Sequence, residues 1–256
     1  MLLRGPRPHH TQQGGAHAGA LPGVRLRVSS PAPERTPQHD LPVVVLDLDG
    51  TLVDSVYHHV VAWQSAFRDV GRPVGALRLH EAIGMGGDRL VAHVAGASAE
   101  AAVGDDVRSL HDKHFRAALR SIYALDGAAE LLTEVADRGF RVALASSSEA
   151  DLVDDLLDLV DSRGRIGTLL TGSDEVPSKP GPETVQEAVA RAGGGSAIVI
   201  GDSVWDALSA EAAGARCIGL RSGGVGSERL TSAGASWVFD DPRDLVARLD
   251  QSPLRG

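Results

Sequence analysis

Residues 43–51 read VVVLDLDGT, and this stretch decides the fold of the chain. Its first four residues form a continuous aliphatic run, which is typical of a strand buried on both faces of a parallel sheet. Asp47 and Asp49 follow this run and would share one face of an extended chain. Gly50 then permits a sharp departure from the strand. The stretch therefore predicts a central strand that delivers two carboxylates to one end of a parallel sheet.

Beyond residue 122 the chain alternates between strand-like and helix-like patterns. Strands are predicted at 141–145, 168–170, 197–200, 216–220 and 236–239. Helices are predicted between and after them, at 128–138, 149–160, 182–192, 204–213 and 242–249. This alternation predicts an α/β fold with a doubly wound, Rossmann-like parallel sheet, whose ligands bind at the carboxyl ends of the strands.

Residues 55–121 interrupt the alternation, because they show only helical periods, at 56–70, 77–83, 88–94 and 105–120. An all-helical insertion directly after the first strand would cover the active-site end of the sheet. We name residues 55–121 the cap segment and assign 41–54 and 122–250 to the α/β core. Residues 1–40 are rich in Pro, Gly, His and Gln without an apolar period, so we predict a disordered N-terminal tail or a misassigned start site.

Composition limits the class of partner. The formal net charge is −9 and the sequence contains one cysteine, Cys217. An acidic protein is a poor match for nucleic acid, and no apolar run is long enough to cross a membrane. The single cysteine excludes an intrachain disulfide, as expected of a cytoplasmic protein. We expect a monomer or a homodimer that acts on a small molecule.

Three further polar features follow predicted strands. Ser146 ends the 141–145 strand, where a hydroxyl and free N–H groups suit a phosphate oxygen, although the serine run 146–148 could instead cap the next helix. Lys179 lies between Ser178 and Pro180, which indicates a positioned ammonium. Asp202 follows the 197–200 strand and could complete a metal site or cap a helix.

Asp47, Asp49, Ser146, Lys179 and Asp202 together match the four motifs of the haloacid dehalogenase-like (HAD) hydrolase superfamily. The chain resembles its phosphoglycolate phosphatase and β-phosphoglucomutase branch over about residues 41–249. The resemblance implies that Asp47 is the nucleophile and Asp49 the general acid and base. It also implies that Lys179 and Mg²⁺ offset the charge of the transferred phosphoryl group.

The resemblance assigns the remaining roles at the centre. Asp47, Asp202 and Asp49, the last through its main-chain carbonyl, would bind Mg²⁺ as hard oxygen ligands. Ser146 and the N–H group of Ser147 would hold a phosphoryl oxygen. Asp206, one helical turn after Asp202, would bind through water or orient Lys179.

Two residues of the cap segment are candidates for substrate contact. His59 lies where many relatives carry a histidine beside the hinge, and Arg89 follows the glycine-rich turn at 84–87. Sugar-phosphate mutases present an arginine near Gly87 for a second phosphate, and this chain lacks it there. We therefore expect a phosphatase for a phosphoglycolate-type or sugar-phosphate-type substrate. A phosphomutase and a non-catalytic regulatory module on a HAD scaffold remain the alternatives.

Overall fold

The computed structural model describes residues 41–255. Its core is a sheet of six parallel strands in the order β3-β2-β1-β4-β5-β6. The strands are β1 (Val43–Leu46), β2 (Arg141–Ala145), β3 (Thr168–Leu170), β4 (Ala197–Gly201), β5 (Arg216–Leu220) and β6 (Trp237–Phe239). The strand order reverses direction at β1, so the predicted doubly wound sheet is confirmed.

Ten helices accompany the sheet in the described part of the chain. Four lie in the cap segment: α1 (Val56–Asp69), α2 (Ala76–His80), α3 (Gly87–Ala95) and α4 (Ala97–Ala118). Six belong to the sheet region: α5 (Ala128–Asp137), α6 (Ala150–Leu157), α7 (Glu183–Arg191), α8 (Val204–Ala212), α9 (Ser227–Ser232) and α10 (Pro242–Ala247).

Strand β1 is buried on both faces because its side chains alternate between two hydrophobic clusters. Val44 and Leu46 join one cluster, and Val43 and Val45 join the other. All four are at most 2% exposed. The continuous aliphatic run in the sequence is therefore explained by helices covering both faces of the sheet.

The cap segment has a hydrophobic cluster of its own. Trp63 and Phe67 of α1 pack there with Leu79 of α2, Leu90 of α3 and Val107 of α4. The apolar stripes of four helices thus meet one another, separately from the two clusters of the sheet.

Some predicted elements differ from the structure. The helix predicted at 105–120 begins at Ala97, because the alanine-rich stretch before residue 105 favours a helix without showing an apolar period. Helix α9 was not predicted. The predicted disordered tail at 1–40 lies outside the described residues. Within residues 41–255, no helix has the length and hydropathy that crossing a membrane requires.

Leu144→Ala tests the packing of the core. Leu144 of β2 is fully buried and pairs in register with Leu46. Its truncation should lower the free energy of unfolding by roughly 2–5 kcal/mol, since a buried cavity replaces the lost atoms. Leu77→Ala is the matched control, because Leu77 is 71% exposed, and should change stability by less than about 0.5 kcal/mol. Urea denaturation measures both; similar losses would contradict this packing.

Candidate active site

Two acidic residues meet at the carboxyl ends of neighbouring strands. Asp47 follows β1, and its N–H group donates to the carbonyl of Ile200, 2.9 Å away, which extends the pairing of β1 with β4. Asp202 directly follows β4. The Asp47 and Asp202 residues are only 7% and 3% exposed. Adjacent parallel strands therefore place two buried carboxylates side by side.

Lys179 and Asp206 complete this centre. The Lys179 Nζ atom lies 2.6 Å from Asp47 Oδ1 and 2.6 Å from Asp206 Oδ1. Asp206 is held in the first turn of α8, where the Ser203 N–H and Oγ groups donate to its Oδ2 at 3.1 and 2.6 Å. Of the two roles expected for Asp206, this geometry shows the contact with Lys179.

Burial and the neighbouring charges shift the pKa values of Asp47, Asp202 and Lys179. Burial, with the nearby Asp206 and Asp49 carboxylates, raises the pKa of Asp47 to about 7 despite the opposing effect of Lys179. Burial and the charges of Asp206 and Asp47 raise the pKa of Asp202 well above its usual range. Burial alone would lower the pKa of Lys179, but Asp206 and Asp47 outweigh it and raise that pKa. The ammonium therefore stays charged beside carboxylates that resist ionisation.

The donor set fits a hard divalent cation. Carboxylate oxygens of Asp47, Asp202 and Asp206 lie within 4.8 Å of one another, and all three residues are buried. Oxygen-only donors of this kind are the ligands that Mg²⁺ prefers. One lysine cannot neutralise three ionised carboxylates, so a cation would relieve the repulsion that contributes to the raised pKa values of Asp47 and Asp202.

Glycines leave the space that these carboxylates occupy. A Cβ atom at Gly201 would overlap the Asp206 carboxyl group, and one at Gly223 would overlap that of Asp202. Gly50 has a φ of +79°, and a Cβ there would also strike Asp202. Thr51 Oγ1 donates to Asp202 Oδ1 at 3.2 Å. The acidic centre is therefore closely enclosed on several sides.

Asp49 is held by a separate set of hydrogen bonds. Its carboxylate accepts from Ser55 Oγ at 2.5 Å and Ser148 Oγ at 3.4 Å, and its Oδ1 lies 3.0 Å from His59 Nε2. Burial would raise its pKa, but the His59 charge and the hydrogen bonds from His59, Ser55 and Ser148 lower it. The side chain thus stays ionised, and contacts to both of its carboxylate oxygens fix its orientation.

His59 is itself supported by the cap segment. Its ring stacks on Phe115 of α4 with centroids 3.8 Å apart, and its Nδ1 lies 3.0 Å from His111 Nε2. His111 stacks in turn on Trp63, at 4.0 Å between centroids. An aromatic stack between α1 and α4 therefore fixes the ring that contacts Asp49.

The serine run does not cap α6. The Ala150 N–H group at the start of that helix donates to Ser173 Oγ at 3.1 Å. Ser146 Oγ accepts instead from the Ser148 N–H group, 3.1 Å away. Ser146 is buried and Ser147 exposed, and both line the main cavity. The capping alternative is therefore wrong for Ser146 and Ser147, and the phosphate-binding role stays a prediction.

A cavity of about 660 Å³ joins these groups, which is the usual size of a small-molecule site. Asp47, Asp49 and Lys179 line one end, and cap residues line the other. His59 lines it, and its contact with substrate stays a prediction. Arg89 is exposed and lies outside the lining, whereas Arg108, which the sequence did not single out, is part of it.

Several site residues were missed from the sequence. Ser148 and His111 act through contacts between segments distant along the chain, whereas Ser55 contacts Asp49 six residues before it. Ser148 stands in the serine run already noted, which was a usable signal. His111 lies within a predicted helix and carries no local signal that separates it from a surface histidine.

The chain is similar to known proteins in both sequence and fold. Residues 41–214 match the family model of the haloacid dehalogenase-like hydrolases. Phosphoglycolate phosphatase 1 of Pseudomonas aeruginosa is 32% identical, over 82% of this chain and 80% of its own length. The crystal structure of a hydrolase from Pseudomonas syringae is 32% identical, with a TM-score of 0.77 and coverage of 82% and 99%. A β-phosphoglucomutase-like protein from Bacteroides vulgatus, 23% identical over 85% and 92%, shares the fold with a TM-score of 0.76.

Thermal unfolding with and without Mg²⁺ tests the metal site. A folded-state pKa of about 7 for Asp47, above its value of 3.8 when unfolded, means that the folded protein binds the extra proton. Without a cation, the contribution of this group to the stability of the protein is lost as the pH rises from about 4 to about 7. Mg²⁺ binds the ionised form, so its gain in Tm should be larger at about pH 8 than at about pH 5.

Asp202→Asn should remove most of the Mg²⁺-dependent gain in Tm, because it deletes a charged ligand. Asp161→Asn, an exposed change away from the cavity, is the control and should keep it. An equal gain at both pH values, or a full gain in Asp202→Asn, would contradict the site.

Proposed function

This chain belongs to the haloacid dehalogenase-like hydrolase family, and we propose that it hydrolyses a small-molecule phosphomonoester with the Asp47 carboxylate as nucleophile. One observation carries the proposal: Asp47 is buried beside the Lys179 ammonium, 2.6 Å away, at the end of a cavity that Asp49 also lines. The relatives named phosphoglycolate phosphatases support a phosphoric monoester hydrolase.

The first step is attack of an Asp47 oxygen on phosphorus, which forms an aspartyl-phosphate and expels the leaving alcohol. Lys179 favours the ionised form of Asp47 and offsets negative charge on the phosphoryl oxygens. Asp47 and Asp202 would hold Mg²⁺, with the main-chain carbonyl of Asp49 as a proposed third ligand. The ion would supply Lewis-acid stabilisation of charge at phosphorus when bound.

Asp49 serves as the proton carrier of both half-reactions. In the resting protein its hydrogen bonds keep it ionised, and the negative phosphate group raises its proton affinity on arrival, because like charges disfavour ionisation. A protonated Asp49 then protonates the leaving oxygen, and the resulting carboxylate accepts a proton from the water that attacks the aspartyl-phosphate. His59, Ser55 and Ser148 orient this carboxylate.

Phosphate binding is assigned to the loop after β2. Ser146 and Ser147 line the cavity at the sheet end where Asp47 lies. The Ser146 hydroxyl and the Ser147 N–H group would donate to phosphoryl oxygens, which complements the charge of Lys179. Together these donors would hold the phosphoryl group in place while the leaving alcohol departs and water replaces it.

The mutase alternative receives less support. A bisphosphate intermediate needs a cation for its second phosphate at the far end of the cavity. Gly87 stands where the resemblance places that arginine, and the nearby Arg108 donates to the Gly87 carbonyl and to Glu100 instead. The likeness to the Bacteroides vulgatus protein concerns the fold alone. A regulatory module is disfavoured because each expected catalytic position is filled.

Asp47→Asn and Asp49→Asn test the mechanism. The first should lower kcat for p-nitrophenyl phosphate by more than about a thousandfold, because an amide is a poor nucleophile. The second should lower kcat by roughly 10²–10⁴-fold through lost proton transfer. Asp161→Asn is the control and should retain full activity.

Steady-state release of p-nitrophenol, with and without Mg²⁺, measures these effects. A radiolabelled phosphoryl group trapped on the wild-type protein in acid, and absent from Asp47→Asn, would locate the covalent step. Full turnover in Asp47→Asn, or turnover that is indifferent to chelation, would refute the proposal.

A further inference from the structure

The lining of the cavity is rich in negative charge. Apart from the catalytic groups, its lining contains four carboxylates within the described chain: Asp88, Asp112, Glu149 and Glu175. Arg108 is the only arginine among those lining residues, and they include no lysine besides Lys179. The leaving group of a bound phosphomonoester would lie in this same cavity, because Asp47, which holds the phosphoryl group, also lines it.

The Arg108 guanidinium is already paired with carboxylates of the protein. Its guanidinium donates to both carboxylate oxygens of Glu100, at 3.1 and 2.8 Å, and to Asp105 Oδ1 at 2.7 Å. A further bond of 3.1 Å goes to the carbonyl of Gly87. A guanidinium held between two carboxylates is a poor anchor for another anion, since its bidentate fork is occupied.

The acidic side chains are less compensated. Asp112 is paired with Arg116 at 2.9 Å, but the Asp88 carboxylate lies 3.9 Å from Arg89, which is beyond hydrogen-bond distance. Glu149 accepts only a neutral hydroxyl, from Ser173 Oγ at 2.7 Å. Glu175 has no ion pair within residues 41–255. Besides the catalytic groups, four carboxylates and one arginine thus line the cavity, and the field within it is negative.

The two cavity histidines do not reverse that field. His59 Nδ1 and His111 Nε2 lie 3.0 Å apart, so one of these nitrogens must be unprotonated for the hydrogen bond to form. His111 is enclosed between Trp63 and His59. At most one of the two rings can therefore carry a positive charge while this hydrogen bond is present.

We propose that the preferred substrates are polyol or sugar monophosphates, whose leaving group carries hydroxyl groups and no second anionic group. This inference rests on the proposed phosphatase function and deepens it. Free carboxylates accept hydrogen bonds from hydroxyl groups and repel a second carboxylate or phosphate. The chain would thus differ in preference from relatives named for phosphoglycolate, which bears a carboxylate.

Matched substrate pairs test the proposal on the full-length wild-type protein with Mg²⁺. One pair is 2-hydroxyethyl phosphate and phosphoglycolate, and the other is glycerol phosphate and phosphoglycerate with the phosphate on the terminal carbon. Within each pair a CH₂OH group replaces a carboxylate. The hydroxyl member should have a kcat/KM at least about tenfold higher, which corresponds to about 1.4 kcal/mol. Competition against p-nitrophenyl phosphate gives the same ranking for slow substrates.

Two variants locate the discrimination in the cavity. Glu175→Gln should lower the ratio of kcat/KM between the hydroxyl and carboxylate members of each pair severalfold, because it removes an uncompensated negative charge. Glu100→Gln should also narrow it, by freeing positive charge on Arg108. Glu211→Gln, an exposed change on α8 outside the cavity, is the control and should leave the ratio unchanged.

The outcomes separate this inference from the function on which it rests. Equal or better use of the carboxylate member, with normal hydrolysis of p-nitrophenyl phosphate, would overturn the inference and leave the phosphatase standing. An unchanged ratio in both cavity variants would also overturn it. No hydrolysis of any ester would overturn both.

Discussion

The structure depends on holding three carboxylates and one ammonium together away from water. Asp47, Asp202 and Asp206 are each at most 7% exposed, and Lys179 is 6% exposed. Buried charges of one sign are tolerated only when they are paired, protonated or bound to a cation. Parallel strands β1 and β4 bring two of the acids together, and the loop before α7 brings the lysine. The adjoining glycines leave the space that this closely packed group occupies.

The same constraint explains how the cap segment is coupled to the chemistry. Asp49 lies two residues beyond the nucleophile, yet its contacts come from Ser55 and His59, where the chain leaves the sheet, and from Ser148. His59 in turn rests on Phe115 of α4. A shift of α1 against α4 would therefore reorient the proposed proton carrier without moving Asp47. The packing of the cap segment and the alignment of Asp49 are linked through the His59 ring.

Much of the fold and of the centre could be predicted because the signals are local. A strand buried on both faces must be continuously aliphatic, and parallel strands must end at one edge, so the run before Asp47 and the acid after β4 were sufficient. Contacts that join distant segments left no such signal. The Ser173 contact with α6 and the His59–His111 pair depend on how the segments pack. Arg89 looked well placed by its distance from Gly87 alone, but the first turn of α3 directs it outward.

Charge pairing within the cap segment explains why the catalytic motifs alone do not determine which substrate binds. The phosphoryl end of the cavity is set by residues whose positions are fixed by the sheet. At the other end an arginine can serve either as an anion anchor or as a structural ion pair, and its neighbours decide between them. In this chain Glu100 lies eight residues before Arg108 on the same helix and Asp105 lies three before it, so α4 itself supplies both partners. A change of one acidic residue on α4 would alter the field in the cavity while leaving the sheet, the proposed nucleophile and the proposed phosphate site untouched.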